Sequence, residues 1–378
     1  MNDDHPTGAA SDEVACVRPS EELDWIALQS YLRDHMDGLN DDLEVLQFPH
    51  GAANLTYLLR FGDRELVLRR PPFGQIAPGA HDMVREYRVL SQLYREYERA
   101  PRALLFCDDP AVMGRDFFVM ERRSGTVIRG EIPASMADQP NVARRVGFAV
   151  VDALADLHLV DADACGLADL GHPDGFVARQ VSGWRKRWDL VRTEDGPTLM
   201  DEIADRLERT RPMSGRHAII HNDFKLDNCQ FDGDCPDQVT AVFDWDMATL
   251  GEPLVDLGTL LNYWPDPADG PDAVRAMHPG MNTMGLPPRA AVVARYVERT
   301  GVPAENVRWY EAFAQWKTAI VVRQLYARFE LGETNDARMI EIGGRMPGLA
   351  ASAAEILDEL GAQPAANAGR DVERRRVT

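Results

Sequence analysis

The chain has 378 residues, of which 41 are basic and 61 acidic, for a net charge of −20. This length suits a large core or two domains, and the acidic balance argues against a nucleic-acid groove. Five cysteines (Cys16, Cys107, Cys165, Cys229 and Cys235) form no CxxC pair and no zinc-like spacing, so free thiols in a cytoplasmic setting are the simplest expectation. The start, MNDDHPTGAASDEVACVRPS, lacks the basic and apolar regions of a signal peptide. No apolar run approaches the ~20 residues that span a bilayer, so no membrane partner is expected.

In chain order, residues 1–18 read as a flexible tail. PSEELDWIALQSYLRDHM reads as a helix capped by Ser20, with Trp25, Leu28, Tyr31 and Leu32 as its apolar stripe. Strand signals follow in LEVLQF, then the loop PHGAAN, LTYLLRF, a GD turn and ELVLRR, where Leu55, Tyr57, Leu59 and Phe61 alternate. Pro71 and Pro72 stop the third strand. MVREYRVLSQLYREY predicts a helix with Val84, Tyr87, Leu90 and Leu93 on one face, and RDFFVMERRSG a strand running into a glycine-containing link. From about residue 140 the pattern is mostly helical, in ARRVGFAVVDALADLHLV, PTLMDEIADRLERT, RAAVVARYVERT and WYEAFAQWKTAIVVRQLYARFEL. Residues 363–378 have the composition of a disordered tail.

The helical half is interrupted by HNDFKLDNCQFDGDCPDQVTAVFDWD, His221 to Asp246. HAII before it and VTAVF within it read as two strands joined by the turn-rich FDGDCPDQ, to which Asp232 and Asp234 belong. Asp223 and Asn228 then lie after the first strand, and Asp244 and Asp246 at the end of the second. An acid-rich surface loop is the plain alternative. Against it, oxygen ligands gathered without His or Cys suit Mg²⁺, a hard cation. The spacing adds more: Asn228 follows Asp223 by five residues, and Asp244 follows Asn228 by sixteen. Kinases place a base Asp, a metal-binding Asn and, after a hairpin, a metal-binding Asp in this order. The base must accept or orient a hydroxyl proton beside the transferred phosphoryl group. The Asn and second Asp must hold a metal that bridges the phosphates, and Lys225 could reach the γ-phosphate. Asp227 has no assigned role.

HNDFKLDN…FDWDMATLGEPLVDLG resembles the catalytic-loop and metal motifs of the aminoglycoside phosphotransferase and choline kinase family, and the resemblance spans roughly residues 40–335. VLRRPP, REYRVL and GEPLVDLG are similar to the branch that includes the kinase-like domain of some acyl-CoA dehydrogenases. The resemblance implies an α+β, bilobal protein-kinase-like fold. A small β-rich N-lobe (residues 19–122) would bind nucleotide, and a larger, mostly helical C-lobe (123–362) would carry catalysis and the acceptor. By resemblance Asp223 is the catalytic base, Asn228 and Asp244 are metal ligands, and Asp246 assists the metal indirectly. Asp256 in PLVDLG braces the loop from a buried position, and His221 supports it.

In the N-lobe, HGAAN resembles the loop over the phosphates, giving Gly51 and Asn54, without a GxGxxG pattern. Alternation puts Val67 and Arg69 on one face of ELVLRR. The resemblance implies Val67 against the adenine, Arg69 at the phosphates and Glu86 as its partner. Arg stands where a lysine is usual, and the two cations are not interchangeable. Met120, Glu121 and Arg122 resemble the hinge whose backbone meets the adenine edge. For the acceptor, Phe176–Trp188 and Tyr310–Gln324 offer Arg179, Trp184, Trp316 and Arg323, with a core stripe as the alternative. The implied activity is phosphoryl transfer, dependent on ATP and Mg²⁺, to a small-molecule hydroxyl, an aminoglycoside being one candidate. The mixture of aromatic and basic residues leaves open a hydroxylated acid or acyl thioester. A nucleotide-binding pseudokinase, suggested by Arg69, is the non-catalytic alternative.

Overall fold

In a computed structural model that describes residues 14–49, 54–73, 82–193, 198–213, 215–233, 235–269, 275, 278–333 and 336–362, the chain separates into two units. Unit 1 comprises Met1–Gly125, Asp163–Leu167 and Thr240–Ala248, and unit 2 holds the rest.

Unit 1 is built on a five-stranded antiparallel sheet of order β1-β2-β3-β5-β4. Its strands are β1 (Leu43–Gln47), β2 (Leu55–Phe61), β3 (Arg64–Arg70), β4 (Ala103–Cys107) and β5 (Phe117–Glu121). The pleat sends Tyr57, Leu59, Phe61, Leu66 and Leu68 to one face, where they pack with Leu28 and Leu32 of helix α1 (Trp25–His35). Each fully buried leucine contributes about 1.5–3 kcal/mol. Ser20 is not the α1 cap: it sits in a short 3₁₀ turn, Pro19–Glu21, and Asp24 accepts the Ala27 N–H instead.

Helix α2 (Met83–Leu93) packs on β4 and β5, with Tyr87 against Phe106 and Phe118. Its buried stripe is Met83, Glu86, Val89, Leu90 and Leu93, while Val84 is 54% exposed. Tyr87, Leu90 and Leu93 lie on the packed side as expected, and Val84 does not. Glu86 is drawn inward to Arg69 of β3, and a residue two positions away lies on the far side of the helix. Strand β4 and the short helix α3 (Pro110–Met113) complete this part of the unit.

Unit 2 begins with β6 (Thr126–Val127) and α4 (Val142–Leu159). Next come α5 (Phe176–Asp189), α6 (Leu199–Arg209), β7 (Ala218–Ile220), β8 (Cys229–Asp232), β9 (Cys235–Val242, whose last three residues belong to unit 1), β10 (Thr249–Gly251) and α7 (Leu254–Asn262). Helices α8 (Arg289–Thr300), α9 (Val307–Glu330), α10 (Arg338–Gly344) and α11 (Met346–Ala362) follow. A reciprocal capping box, Thr198 with Asp201, starts α6. β7 does not pair with β9 as the sequence suggested. It pairs with β10, Ile220 opposite Thr249, and the hairpin partner of β9 is the intervening strand β8. Helix α7 is buried along its whole length and packs on α9. The N-terminal two-thirds of α9 is buried almost all round and includes the polar Glu311, Gln315 and Lys317. Arg275 and Arg308 reach the Glu311 carboxylate at 2.7 and 2.5 Å, which lets that charge sit in the core. Among the described residues no helix is long and apolar enough to cross a membrane. The expected tail 363–378 and most of the expected N-terminal tail lie outside the described residues.

Candidate functional site

In unit 1, β3 presents Val67 and Arg69 on the face opposite the leucine core. Val67 is buried and pairs with Met120, and Arg69 pairs with Phe118. The Arg69 guanidinium, 8% exposed, lies between two carboxylates: Nε is 3.3 Å from Glu86 Oε2, and Nη2 donates to Asp244 Oδ1 at 2.9 Å. Burial works against its charge, but Glu86 and Asp244 outweigh that and hold the proton firmly. Burial pushes the Glu86 carboxyl up to about 8; Arg69 pulls the other way, while Asp244 and Asp246 add to the rise. Asp244 has φ of 71°, a left-handed conformation that Asp tolerates better than most residues. It opens the 3₁₀ turn Trp245–Met247, on which α2 packs. Asn54 is buried at the head of β2. Glu121 accepts the Arg102 N–H at 2.9 Å, and Arg122 lies over the Phe48 ring. Gly51 lies outside the described residues.

In unit 2, the loop after β7 carries Asp223. Lys225 Nζ donates to Asp223 Oδ2 at 2.8 Å, and Asn228 Nδ2 donates to the Asp223 carbonyl at 2.9 Å. The Asp223 N–H points to His221 Nδ1 at 3.3 Å. Burial opposes the Lys225 ammonium, but Asp223 and Asp227 hold its proton more tightly than usual. Asp256 at the start of α7 is fully buried and accepts the backbone N–H of His221 and of Asn222, both at 2.6 Å. His158 of α4 joins the same carboxylate at 3.2 Å. Burial alone would raise the Asp256 carboxyl, but the bonds from His158 and His221 bring it below the usual range.

Three residues that the sequence left without a role belong to this network. Asp227 accepts from His278 Nε2 at 3.4 Å. Burial works upward on Asp227, yet His278 and Lys225 keep its carboxyl low. His158 supports Asp256, as above. Lys317, inside α9, donates to the Asn222 carbonyl at 2.9 Å. A lysine within a helical apolar run reads as a solvated position, so periodicity gave no signal for it.

The four candidate acceptor contacts have other partners. Trp316 is fully buried, with Nε1 donating to Met200 O at 3.0 Å. Trp184 is buried, donates to Gln180 and lies under Lys317 Nζ, 5.5 Å from its ring centre. Arg323 donates to Val191 O and pairs with Glu330, and Arg179 binds the carbonyls of His172 and Asp174.

A cavity of about 590 Å³ in unit 2 is lined by Val127, Arg129, Glu131, Pro133, His278 and Pro279, with Gly130 at its wall. A Cβ on Gly130 would lie 1.9 Å from Pro279 O, and one on Gly280 (φ +86°) 2.6 Å from Gly130 O. The two wall segments can meet this closely only because both positions are glycine.

Asn228 commits its amide nitrogen to Asp223, which leaves Oδ1 for a cation, and Asp244 offers a carboxylate 34% exposed. Both are hard oxygen donors, as Mg²⁺ requires. Among the described residues no three His, Cys, Asp or Glu side chains are grouped to hold a metal by themselves.

Residues 44–305 match the phosphotransferase enzyme family. The chain is 32% identical over 328 residues to acyl-CoA dehydrogenase family member 11 of Rattus norvegicus, covering 84% of this chain and 41% of that one. It is 29% identical over 332 residues to family member 10 of Mus musculus, covering 86% and 30%. The chain thus spans less than half the length of these relatives. A solved putative aminoglycoside phosphotransferase from Ralstonia eutropha JMP134 is 30% identical with a TM-score of 0.74, covering 89% of this chain and 99% of that one. A thermostable mutant of another aminoglycoside phosphotransferase, in ternary complex with ADP and hygromycin B, shares the fold (TM-score 0.55, 17% identity, 89% and 100% covered).

Proposed function

Because the chain belongs to the phosphotransferase enzyme family, we propose that it transfers the terminal phosphoryl group of ATP, with Mg²⁺, to a hydroxyl of a small molecule. The observation that carries this reading is the fixed loop around Asp223, whose carboxylate is held by Lys225 and whose carbonyl is held by Asn228. Asp223 takes or orients the acceptor's hydroxyl proton. Lys225, one donor already on Asp223, has others to meet the charge that develops on the transferred group. Val67 and Met120 provide an apolar surface for the adenine, and Arg69 a cation for the phosphates. Asn228 and Asp244 would hold the metal, which when bound offsets the charge of the phosphates. Most of the rate then comes from positioning and preset electrostatics. The test is ADP release across a panel of hydroxylated metabolites and aminoglycosides. Asp223→Ala should abolish release while the protein stays folded; full activity in that variant sinks the assignment. Binding of ATP without Asp223-dependent release would favour the pseudokinase reading.

The cavity supports a second reading, an acidic acceptor such as a hydroxylated acid or acyl thioester. Arg129 and His278 line it against one carboxylate, Glu131, and the Asp227 carboxylate that meets His278 is not part of the lining. A polycationic aminoglycoside finds few free acids there. Arg129→Ala should raise the KM of an acidic acceptor severalfold; an unchanged KM would remove this reading.

A further inference from the structure

Asn222, the residue before Asp223, has φ of 68°, one of three non-glycine positive values among the described residues. That conformation is uncommon for a residue with a Cβ, although Asn adopts it more readily than most, and here two contacts hold it. Its N–H is held by Asp256 Oδ1 at 2.6 Å, and its carbonyl receives Lys317 Nζ at 2.9 Å. The peptide that leads into Asp223 is thus gripped at its oxygen by a side chain from α9. Lys317 is only 9% exposed, and Trp184, 4% exposed, forms the shelf below its ammonium. Burial pulls its proton affinity down, and the carboxylates of Asp223 and Asp256 oppose that. A desolvated ammonium is expensive unless paired. A neutral donor would hold the carbonyl at lower cost but could not also balance two nearby carboxylates.

We infer that Lys317 is a positioning residue: its ammonium holds the Asn222 carbonyl, fixes the left-handed turn, and so aims the Asp223 carboxylate at the acceptor hydroxyl. The catalytic part of this inference rests on Asp223 being the base. The positional part does not.

The experiment compares Lys317→Met, Lys317→Arg and Lys317→Met/Asn222→Gly with the intact chain. Lys317→Met should lower kcat on the order of a hundredfold, the scale of a small misplacement of a catalytic group, with the KM for MgATP unchanged. Glycine adopts the left-handed turn without help, so Asn222→Gly in the Lys317→Met background should restore kcat at least tenfold. A merely structural lysine would not be rescued by a glycine at a different position. Amide hydrogen exchange at His221 and Asn222 gives a readout that needs no activity, and it should quicken at least tenfold in folded Lys317→Met. Wild-type kcat in that variant, a KM for MgATP that moves with kcat, no rescue, or unchanged exchange each overturn the inference. If the methionine variant does not fold, Lys317→Arg is read instead. It keeps the charge but carries its donors on a wider planar head, so about a tenfold loss of kcat is expected and wild-type kcat overturns the inference. If the intact chain turns over no acceptor, the phosphotransferase reading fails by itself, and the exchange measurement still decides the role of Lys317.

Discussion

Asp256→Asn removes one oxygen acceptor from a site that uses both. Oδ2 takes the His221 N–H and meets His158, and Oδ1 takes the Asn222 N–H. With the amide oxygen in the Oδ2 position, Asn222 N–H faces an NH₂ group and is orphaned, at about 1–3 kcal/mol. The two bonds that remain lose their charge assistance, roughly half their strength. The sum is about 3–5 kcal/mol, a large share of the stability of an ordinary domain. At about 2 °C per kcal/mol for a large domain, Tm should fall by about 6–10 °C at pH 7. The pH dependence has a fixed sign. The Asp256 carboxyl is lower in the folded state than in the unfolded chain, so its contribution is present above the unfolded value and is lost as pH falls through the folded one. The Tm gap between wild type and variant should be flat near neutrality and narrow in acid. Thermal melting by circular dichroism at several pH values reads it. A Tm at pH 7 within about 2 °C of wild type, or a gap that widens in acid, would refute the reasoning.

Asp244→Ala removes both a proposed metal ligand and a partner of Arg69. Calorimetry should show MgATP affinity falling at least tenfold, and unchanged affinity would count against its role as a ligand. Trp316→Phe loses the bond to Met200 O and some core volume, for about 1–3 kcal/mol of stability. Acceptor KM should not change; a KM that rises without loss of Tm would return Trp316 to the binding surface.

The proposed catalytic residues stood out in the sequence by type and spacing: Asp223, Asn228 and Asp244 stand at intervals that few surface loops share. The strands of the first sheet were legible because alternation survives where one face is buried, as in Tyr57, Leu59 and Phe61. Other features depend on contacts far along the chain. β7 has only three residues, too few for a pattern to name its partner, and that partner, β10, begins thirty-one residues after β7 starts, beyond the nearer candidate β9. α2 turns on Glu86, which a hydropathy pattern places outside and an arginine on β3 draws in. The N-terminal two-thirds of α9 is buried on nearly every side, so the aromatic residues there show no polar face that would separate core from binding surface. Lys317 is hidden for the same reason: its partner is a carbonyl 95 positions away, and carbonyls carry no sequence signal.

The meeting of Gly130 with Pro279 and Gly280 makes one dimension of the cavity a property of backbone rather than of side chains. Exchanges at those glycines would force the walls apart before they could reshape the space. If the cavity takes the acceptor as proposed, an engineer who wants a different acceptor should leave the seam intact and diversify Arg129 and Glu131, whose side chains are exposed and can change without moving the wall. A library built this way keeps the His278 contact to Asp227 in every member, so on the same proposal its differences in turnover would report on recognition.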